Sequence, residues 1–157
     1  MDDEWALTCY CGLYCRDCIP SKKDLYEAAA RFEEELDLLN FDKYAELKAT
    51  QTYWSSANRL FKDYPTFIEV LHAIRGLECK VYCREGGGWK EGHCGVRNCC
   101  VEKKLDGCWD CAEYKTCKLL EALVKFHPNL LHHLELIKTE GVENWASKRK
   151  GHYYWQQ

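Results

Sequence analysis

Residues 9–18 read Cys-Tyr-Cys-Gly-Leu-Tyr-Cys-Arg-Asp-Cys, and this stretch holds four of the chain's twelve cysteines. It ends in a Cys-x-x-Cys pair, Cys15 and Cys18, and a second pair of the same spacing follows at Cys108 and Cys111. Two intervening residues let a tight turn aim both sulfurs at one metal, so this spacing recurs in zinc sites. Two such pairs among so many cysteines predict thiolate–metal sites.

The opening residues indicate the compartment in which these thiols lie. Met1-Asp2-Asp3-Glu4 is acidic and is not followed by the apolar stretch of a secretory signal. No run of about 18 apolar residues occurs, so we expect no membrane span. We therefore expect a cytoplasmic protein, in which thiols stay reduced. Clustered reduced thiols are most often metal ligands, rather than disulfides or free packing groups.

The cysteines form two blocks, and each block is large enough for one metal site. The blocks span residues 9–18 and 79–117, and residues 19–78 contain no cysteine. Because a tetrahedral zinc site takes four thiolates, the sequence predicts about two zinc ions. The predicted ligands are Cys11, Cys15, Cys18, Cys79, Cys83, Cys94, Cys99, Cys108, Cys111 and Cys117.

The division of these ligands between the two sites is left open by the sequence. In the simplest arrangement the first block joins Cys79 or Cys83, and the later cysteines form the second site with one to spare. Sharing of ligands between the blocks is an alternative. We interpret Cys9 and Cys100 as packing thiols, because each lies one or two residues from a better-placed cysteine.

Iron–sulfur binding is the main alternative to zinc. The segment Cys11-x3-Cys15-x2-Cys18 has the spacing that holds a 4Fe–4S cluster in radical S-adenosylmethionine enzymes, but those are large partial barrels and this chain has no strand pattern. An iron–sulfur cluster that is bound by these three cysteines and a distant fourth cysteine, outside that enzyme family, is the stronger alternative to zinc. We favour zinc because Cys-x-x-Cys pairs with distant partners are the common zinc pattern. Trp89, Trp109 and Trp145 are expected to shield the metal sites from water.

The net charge and the absence of two catalytic motifs make several classes of function less favoured for this chain. The formal net charge is −3, and two Zn(Cys)4 sites would lower it to about −7. A nucleic-acid binder needs a basic face, so nucleic acid is disfavoured as a partner. The basic residues near the second block, which include Arg84 and Arg97, are interpreted as a solvated surface. The chain contains neither the His-Glu-x-x-His motif of a catalytic zinc site nor the Gly-x-Ser-x-Gly motif of an α/β-hydrolase, so neither kind of enzyme is predicted.

We therefore expect a metal-binding protein with structural zinc, acting as a cytosolic binding or regulatory module rather than as an enzyme. A closed site with four protein ligands leaves no open position for chemistry. The sequence does not identify the partner, although a protein partner fits this interpretation. An iron–sulfur protein for electron transfer or redox sensing is the first alternative. A small enzyme that uses zinc-bound water or a reactive thiol is the second.

Outside the cysteines, the sequence predicts a mostly α-helical single domain over residues 1–157, with irregular metal-bound loops and little or no β structure. Ser21 is expected to cap a helix whose apolar residues recur at three- and four-residue steps from Leu25 to Leu39. A second helix over 43–61 and a third with Pro65 in its first turn complete the helical segment 21–78. A short helix is expected at 96–104, and further helices at 116–127, 129–139 and 142–150 make the C-terminal region 116–150 helical. Gly86-Gly87-Gly88 is interpreted as a turn.

The ordered motifs resemble those of a family of small prokaryotic proteins called domain of unknown function 3795. They are Tyr10-Cys11-Gly12-Leu13-Tyr14-Cys15-x2-Cys18, Cys79-x3-Cys83-Arg84-x-Gly86-Gly87-Gly88, Cys94-x4-Cys99-Cys100, Cys108-Trp109-x-Cys111-x5-Cys117 and Leu136-Ile137-Lys138-x2-Gly141-Val142-x2-Trp145. The resemblance covers nearly the whole chain. It implies a cysteine-rich, metal-binding bacterial or archaeal protein, and it implies no activity.

Overall fold

The computed structural model describes residues 3–51, 53, 56–88, 93–151, 153 and 156. Seven α-helices lie in these ranges: α1 (Glu4–Leu7), α2 (Lys23–Leu38), α3 (Phe41–Thr50), α4 (Tyr64–Arg75), α5 (Gly95–Glu102), α6 (Lys118–Phe126) and α7 (Leu130–Glu140). The strand-like pairing found in the described ranges is an isolated antiparallel bridge between Thr8 and Tyr14. The prediction of a mostly α fold is therefore confirmed. None of these helices has the length and apolar character needed to cross a bilayer.

The predicted helices agree with the structure where the local signals are strong. The first long helix, α2, begins one residue after the expected start at Lys22. Pro65 lies in the first turn of α4, where its missing N–H costs no helical hydrogen bond. Pro128 separates α6 from α7, and α7 is followed directly by Gly141, whose φ of 82° suits glycine.

Two helices are shorter than predicted. The helix over 43–61 stops at Thr50, whose hydroxyl donates to the carbonyl of Leu47, and the chain resumes as a 3₁₀ segment, Ser56–Asp63. Of the helix over 142–150, the structure contains only the 3₁₀ turn Trp145–Lys148. Hydroxyl side chains compete for helical hydrogen bonds, so short segments that contain them depend on tertiary packing to stay helical.

Ser21 does not cap α2, which corrects the expected role of this residue. The N-cap position is Lys22, and no side chain makes a capping hydrogen bond there. The Ser21 hydroxyl instead lies within hydrogen-bonding distance of the carbonyl oxygens of Cys15 and Cys18. It therefore stabilises the first Cys-x-x-Cys turn.

The chain divides into two compact units. The cysteine-rich unit comprises Met1–Ser21 and Cys79–Gln157, and the helical unit comprises Lys22–Glu78. All twelve cysteines belong to the cysteine-rich unit. The single domain over residues 1–157 stays a prediction.

In the cysteine-rich unit, α7 and Trp145 form the centre of the core. The side chains of Leu130, Leu134 and Trp145 have no exposed surface. The indole Nε1 of Trp145 donates to Thr8 Oγ1 at 3.0 Å, and its ring lies edge-on to that of Tyr14, with 5.5 Å between centroids. A buried indole N–H needs such a partner. The same core contains the thiols of Cys11, Cys15, Cys100 and Cys108.

The helical unit contains α2, α3 and α4 and buries few apolar side chains. Among its described residues, the buried ones are Tyr26, Leu36, Ala45 and Leu71. The carboxylate of Glu33 on α2 binds both Arg75 and His72 of α4. Much of the predicted apolar stripe of α2 stays in contact with water, since Phe32 is 49% exposed and Leu39 is 69% exposed. The helical pattern was correct, but it did not predict which residues are buried.

Candidate metal centre

The two Cys-x-x-Cys segments form the same turn. Cys15–Asp17 and Cys108–Asp110 are 3₁₀ turns, each followed by a cysteine in extended conformation. In both, the N–H of the second cysteine donates to the carbonyl of the first at 3.1 Å. The φ and ψ angles of Cys18 (−79° and 125°) and Cys111 (−80° and 127°) agree closely. This tight turn is the local structure expected of paired metal ligands.

A second tight turn, directly before Cys15, brings the first cysteines together. The N–H of Cys9 donates to the carbonyl of Leu13, and the N–H of Gly12 donates to the carbonyl of Cys9, both at 2.8 Å. Gly12 has a φ of 82°, and a Cβ at this position would lie 2.8 Å from Leu134 Cδ2. Glycine is therefore favoured both by the backbone conformation and by the close contact with α7.

The thiol of Cys9 lies among three other thiols. Its Sγ atom is 3.9 Å from that of Cys15. Hydrogen bonds with the thiols of Cys11, Cys15 and Cys83, and then burial, raise the pKa of Cys9 well above its usual value. The hydrogen bond from Cys9 lowers the pKa of Cys15 and of Cys83, because it stabilises their thiolates. We call Cys9, Cys11, Cys15 and Cys83 the N-terminal cluster.

Two arginines stabilise the thiolate of Cys83. Its pKa is lowered to about 6, first by the hydrogen bond from Cys9, then by a backbone N–H and by the guanidinium groups of Arg97 and Arg84. Arg97 is buried, and its Nη1 donates to the carbonyl oxygens of Cys83 and Gly87 at 3.0 and 2.8 Å. Positive charge is therefore held beside this thiol by the fold itself.

The Gly86-Gly87-Gly88 run forms the turn after Cys83. Gly86 and Gly88 have φ angles of 102° and 87°. A Cβ on Gly87 would lie only 1.6 Å from the carbonyl oxygen of Val81, so any other residue would force the backbone to move. The turn presents the carbonyl that binds Arg97, which links the glycines to the charge beside Cys83.

A second group of thiols lines a cavity of about 370 Å³ in the same unit. The Sγ atoms of Cys100 and Cys108 are 3.7 Å apart. This contact is the largest cause of a raised pKa at Cys108 and a lowered pKa at Cys100, because Cys108 donates to the thiolate of Cys100. We call the lining cysteines the cavity cluster: Cys99, Cys100, Cys108, Cys111 and Cys117.

Arg84 carries charge that acts on both clusters. Its guanidinium carbon lies 4.0 Å from the ring centroid of Trp5, 4.6 Å from that of Tyr10 and 5.5 Å from that of Trp109. Its Nε donates to carbonyls of the N-terminal segment and its Nη1 to the carbonyl of Asp106. Among the residues that the structure describes, Nη2 is buried without a hydrogen-bond partner. The Arg84 charge helps to lower the pKa of a thiol in each cluster.

Three cysteines lie outside both clusters. The Sγ of Cys79 donates to the carbonyl of Val81 at 3.0 Å. Burial raises the pKa of Cys18, and a hydrogen bond with the hydroxyl of Tyr153 opposes that effect. Cys94 is the N-cap residue of α5 and is partly buried against the core. All three belong to the predicted ligand set, and their assignment as ligands stays a prediction.

The two cysteines that we interpreted as packing thiols each lie beside a predicted ligand thiol. Cys9 contacts Cys15, and Cys100 contacts Cys108. The residue in the sequence that could have predicted the position of Cys9 is Gly12, because it allows the tight turn that brings Cys9 next to Cys15. Within the described ranges, no three His, Cys, Asp or Glu side chains are arranged as they would be around one metal ion. The structure thus brings the thiols close to one another, while the ligand assignment remains a prediction.

The sequence did not predict the positions of two arginines beside the thiols. Arg84 and Arg97 were interpreted as solvated surface, whereas Arg97 is buried and Arg84 lies against three aromatic rings. Arginine is exposed in most proteins, so composition alone predicts a surface position. Of the tryptophans expected to shield the sites, Trp109 contacts Arg84 and Trp145 lies in the core, while Trp89 lies outside the described residues.

Comparison with known proteins tests the resemblance seen in the motifs. The model of a family described as protein of unknown function (DUF3795) matches residues 7–122. The match spans both cysteine blocks and the helical segment between them. Searches of the curated proteins and of the solved structures found no significant match. The resemblance is therefore confirmed over most of the chain.

Proposed function

We infer that this chain, which belongs to the DUF3795 family, is a metal-binding protein whose cysteine-rich unit holds about two structural zinc ions. The N-terminal cluster would hold one ion through its four thiolates. The cavity cluster would hold the other through four of its five thiolates, with Cys100 and Cys108 among them. The family description names no activity, so the proposal rests on the side chains.

The separation of the paired sulfurs carries the proposal. A regular tetrahedron with Zn–S bonds of about 2.3 Å has sulfur–sulfur edges of roughly 3.8 Å. The Sγ atoms of Cys9 and Cys15 are 3.9 Å apart, and those of Cys100 and Cys108 are 3.7 Å apart. A disulfide would need a separation of about 2.05 Å. Each pair is too wide for a disulfide and close to one edge of a zinc tetrahedron.

The charges around the thiols fit a site with net negative charge. Four thiolates and one zinc ion carry a net charge of about −2. Arg97 and Arg84 lower the pKa of Cys83, and Arg84 also lowers that of Cys100, so positive charge lies near both clusters. The buried Nη2 of Arg84 is costly without a partner, and a nearby anionic site would offset part of that cost.

The ligands would join segments that are distant in sequence. Cys83 comes from the second block, whereas the other members of its cluster come from the first. The N–H of Cys108 donates to the carbonyl of Tyr10 at 2.7 Å, so the two blocks are also in backbone contact. Bound zinc would cross-link these loops, which is its usual contribution to small domains. A site with four protein ligands keeps no position for substrate, so a binding or regulatory module is favoured over an enzyme.

Metal content per chain tests the proposal. The full-length protein would be purified with and without air and analysed for zinc, iron and acid-labile sulfide. We expect about two zinc ions per chain and no visible absorption, because zinc has no redox or d-electron transitions. A brown preparation with stoichiometric iron and sulfide would overturn zinc in favour of an iron–sulfur protein.

Single substitutions test the assignment of the ligands. Cys9→Ser and Cys100→Ser each remove one ligand from one proposed site, so each variant should retain about one zinc ion. Cys94→Ser is the matched control, since it makes the same chemical change outside both clusters and should retain about two. Loss of zinc from the control but not from Cys9→Ser would contradict the N-terminal cluster as a ligand set.

A further inference from the structure

The helical unit contains an apolar cavity that the proposed metal sites do not use. Its volume is about 360 Å³, and its lining includes Phe32, Phe41, Phe61, Asp63, Tyr64 and Phe67. All of them belong to Lys22–Glu78. Small-molecule sites commonly measure roughly 300–1,000 Å³ and combine an apolar lining with a few polar groups. The cavity has the size and the composition of such a site.

Five aromatic rings contribute to the lining. The ring centroid of Phe41 lies 6.2 Å from that of Phe61 and 5.4 Å from that of Tyr64. The centroid of Phe67 lies 6.2 Å from that of Phe32 and 6.0 Å from that of Tyr64. The planes of these pairs meet at angles between 34° and 77°, so none is a parallel stack that hides two ring faces.

These rings are incompletely buried. Phe32 on α2 is 49% exposed, and Phe67 on α4 is 43% exposed. Aromatic side chains contribute most when they leave water, and grouped exposed apolar residues commonly mark a binding site. A ligand in this cavity would therefore remove costly apolar surface from water.

The charged member of the lining is a carboxylate. Asp63 is the N-cap residue of α4, yet its side chain makes no capping hydrogen bond. Burial, and then the carboxylates of Asp42 and Asp37, raise the pKa of Tyr64, so further negative charge lies near this ring. Lysine and arginine are absent from the described lining. The helical unit as a whole has eleven acidic and eight basic residues, so its net charge is also negative.

We propose that this cavity binds an organic ammonium ion with an apolar body. Aromatic faces attract such a cation through their quadrupoles, and a carboxylate supplies the opposite charge. A neutral apolar ligand would use the rings but not Asp63, and an inorganic cation would use Asp63 but not the rings. An organic ammonium ion uses both parts of the lining.

Choline and its uncharged isostere 3,3-dimethylbutan-1-ol are the probes for this site. Each would be titrated into the full-length protein, with binding followed by the backbone amide signals of α2 and α4. We expect saturable shifts with choline and an affinity for the isostere that is about 2- to 30-fold weaker, since the two differ chiefly in charge. Equal affinities would overturn the ammonium preference, and absence of saturable shifts with choline would overturn the site.

Two variants test the contributions of the carboxylate and of the aromatic rings to binding separately. Asp63→Asn should weaken choline binding while leaving the isostere unaffected, and Phe67→Leu should weaken choline by about 2- to 30-fold because an aromatic face is lost. Asp24→Asn and Phe126→Leu make the same changes at exposed positions outside the lining and should leave both affinities unchanged. Circular dichroism melting of each variant confirms that it is folded. Unchanged choline affinity in Asp63→Asn would overturn the proposed role of the carboxylate.

Discussion

The cysteine-rich unit and the helical unit bury their side chains to very different degrees. In the cysteine-rich unit, Leu130, Leu134 and Trp145 have no exposed surface, although much of the surrounding chain is irregular. In the helical unit, α2 is the longest helix of the described chain, yet Phe32 and Leu38 on it are 49% and 70% exposed. The longest helix therefore does not belong to the best-buried core, which is built around the shorter helix α7 and Trp145.

The difference in burial indicates that the two units are stabilised by different interactions. In the helical unit, residues inside the helices make local hydrogen bonds, and ion pairs such as Glu33 with Arg75 add contacts between helices. The turns that carry the cysteines are too short to be stable by themselves. They depend on the core around Trp145 and, on our proposal, on metal ligation.

Removal of metal should lower stability more than any other change, and the loss should occur in the cysteine-rich unit. A structural zinc ion contributes roughly 10–16 kcal/mol in small fingers, whereas a whole domain is stable by about 5–15 kcal/mol. A strong chelator under reducing conditions should therefore abolish cooperative melting of this unit, and added zinc should restore it. The indole N–H signal of Trp145 reports the change, because that group donates to Thr8.

Acid should act in the same way as the chelator, because protons compete with metal for thiolates. A reduced, metal-free protein with an unchanged melting temperature would show that the metal is not structural. The small zinc- or thiol-dependent enzyme would then become the leading hypothesis.

Truncation of a leucine compares the two units with one chemical change. Leu134→Ala should lower the free energy of unfolding by about 2–5 kcal/mol, because the side chain is fully buried beside Gly12. Leu38→Ala in the helical unit is the matched control and should change it by only about 0.5 kcal/mol, since that side chain is largely exposed. Urea unfolding measures both. Similar losses at the two positions would refute the contrast between the units.

A methyl group at Gly12 tests whether the cysteine turn depends on α7. Gly12 and Gly141 both have a φ of 82°, but a Cβ at Gly12 meets Leu134 whereas one at Gly141 meets nothing within 4 Å. Both alanine variants should incur backbone strain, and Gly12→Ala should cost about 1–3 kcal/mol more because it also overpacks the core. Chemical denaturation of the pair gives this difference. Equal losses would show that only the backbone conformation matters at Gly12.

A pH dependence is also expected from the core of the cysteine-rich unit. Burial, followed by the charge of His132, lowers the pKa of His133 to about 4, compared with about 6.5 in an unfolded chain. Between these values the unfolded chain binds more protons, so this contribution to stability is complete above pH 6.5 and is lost as the pH falls toward 4. The slope is at most about 1.4 kcal/mol per pH unit.

His133→Asn should remove this part of the pH dependence of urea unfolding. His132→Asn is the matched control and should leave most of it, because burial is the larger cause of the shift. An identical pH profile in the parent and in His133→Asn would mean that His133 does not titrate differently on unfolding.

Local patterns in the sequence determined the helices and the two cysteine turns. The position of Pro65 in α4 and the break at Pro128 follow from the dihedral preferences and hydrogen-bonding capacity of single residues. The two Cys-x-x-Cys segments adopt one conformation because a 3₁₀ turn closes within four residues. Their conformations follow from local geometry, although the short cysteine turns depend on the surrounding core for their stability.

Tertiary structure alone decided which thiols meet and which charged groups are buried. Cys9 meets Cys83, and Arg97 is buried beside the same thiol, through contacts between blocks that are separated by the whole helical unit. Periodicity and spacing describe only neighbours along the chain, so they could not separate Cys9 from Cys94 as a member of a cluster. The same limit explains the exposed stripe of α2. A helix pattern shows that apolar residues share one face, but only the packing of other elements decides whether that face is covered.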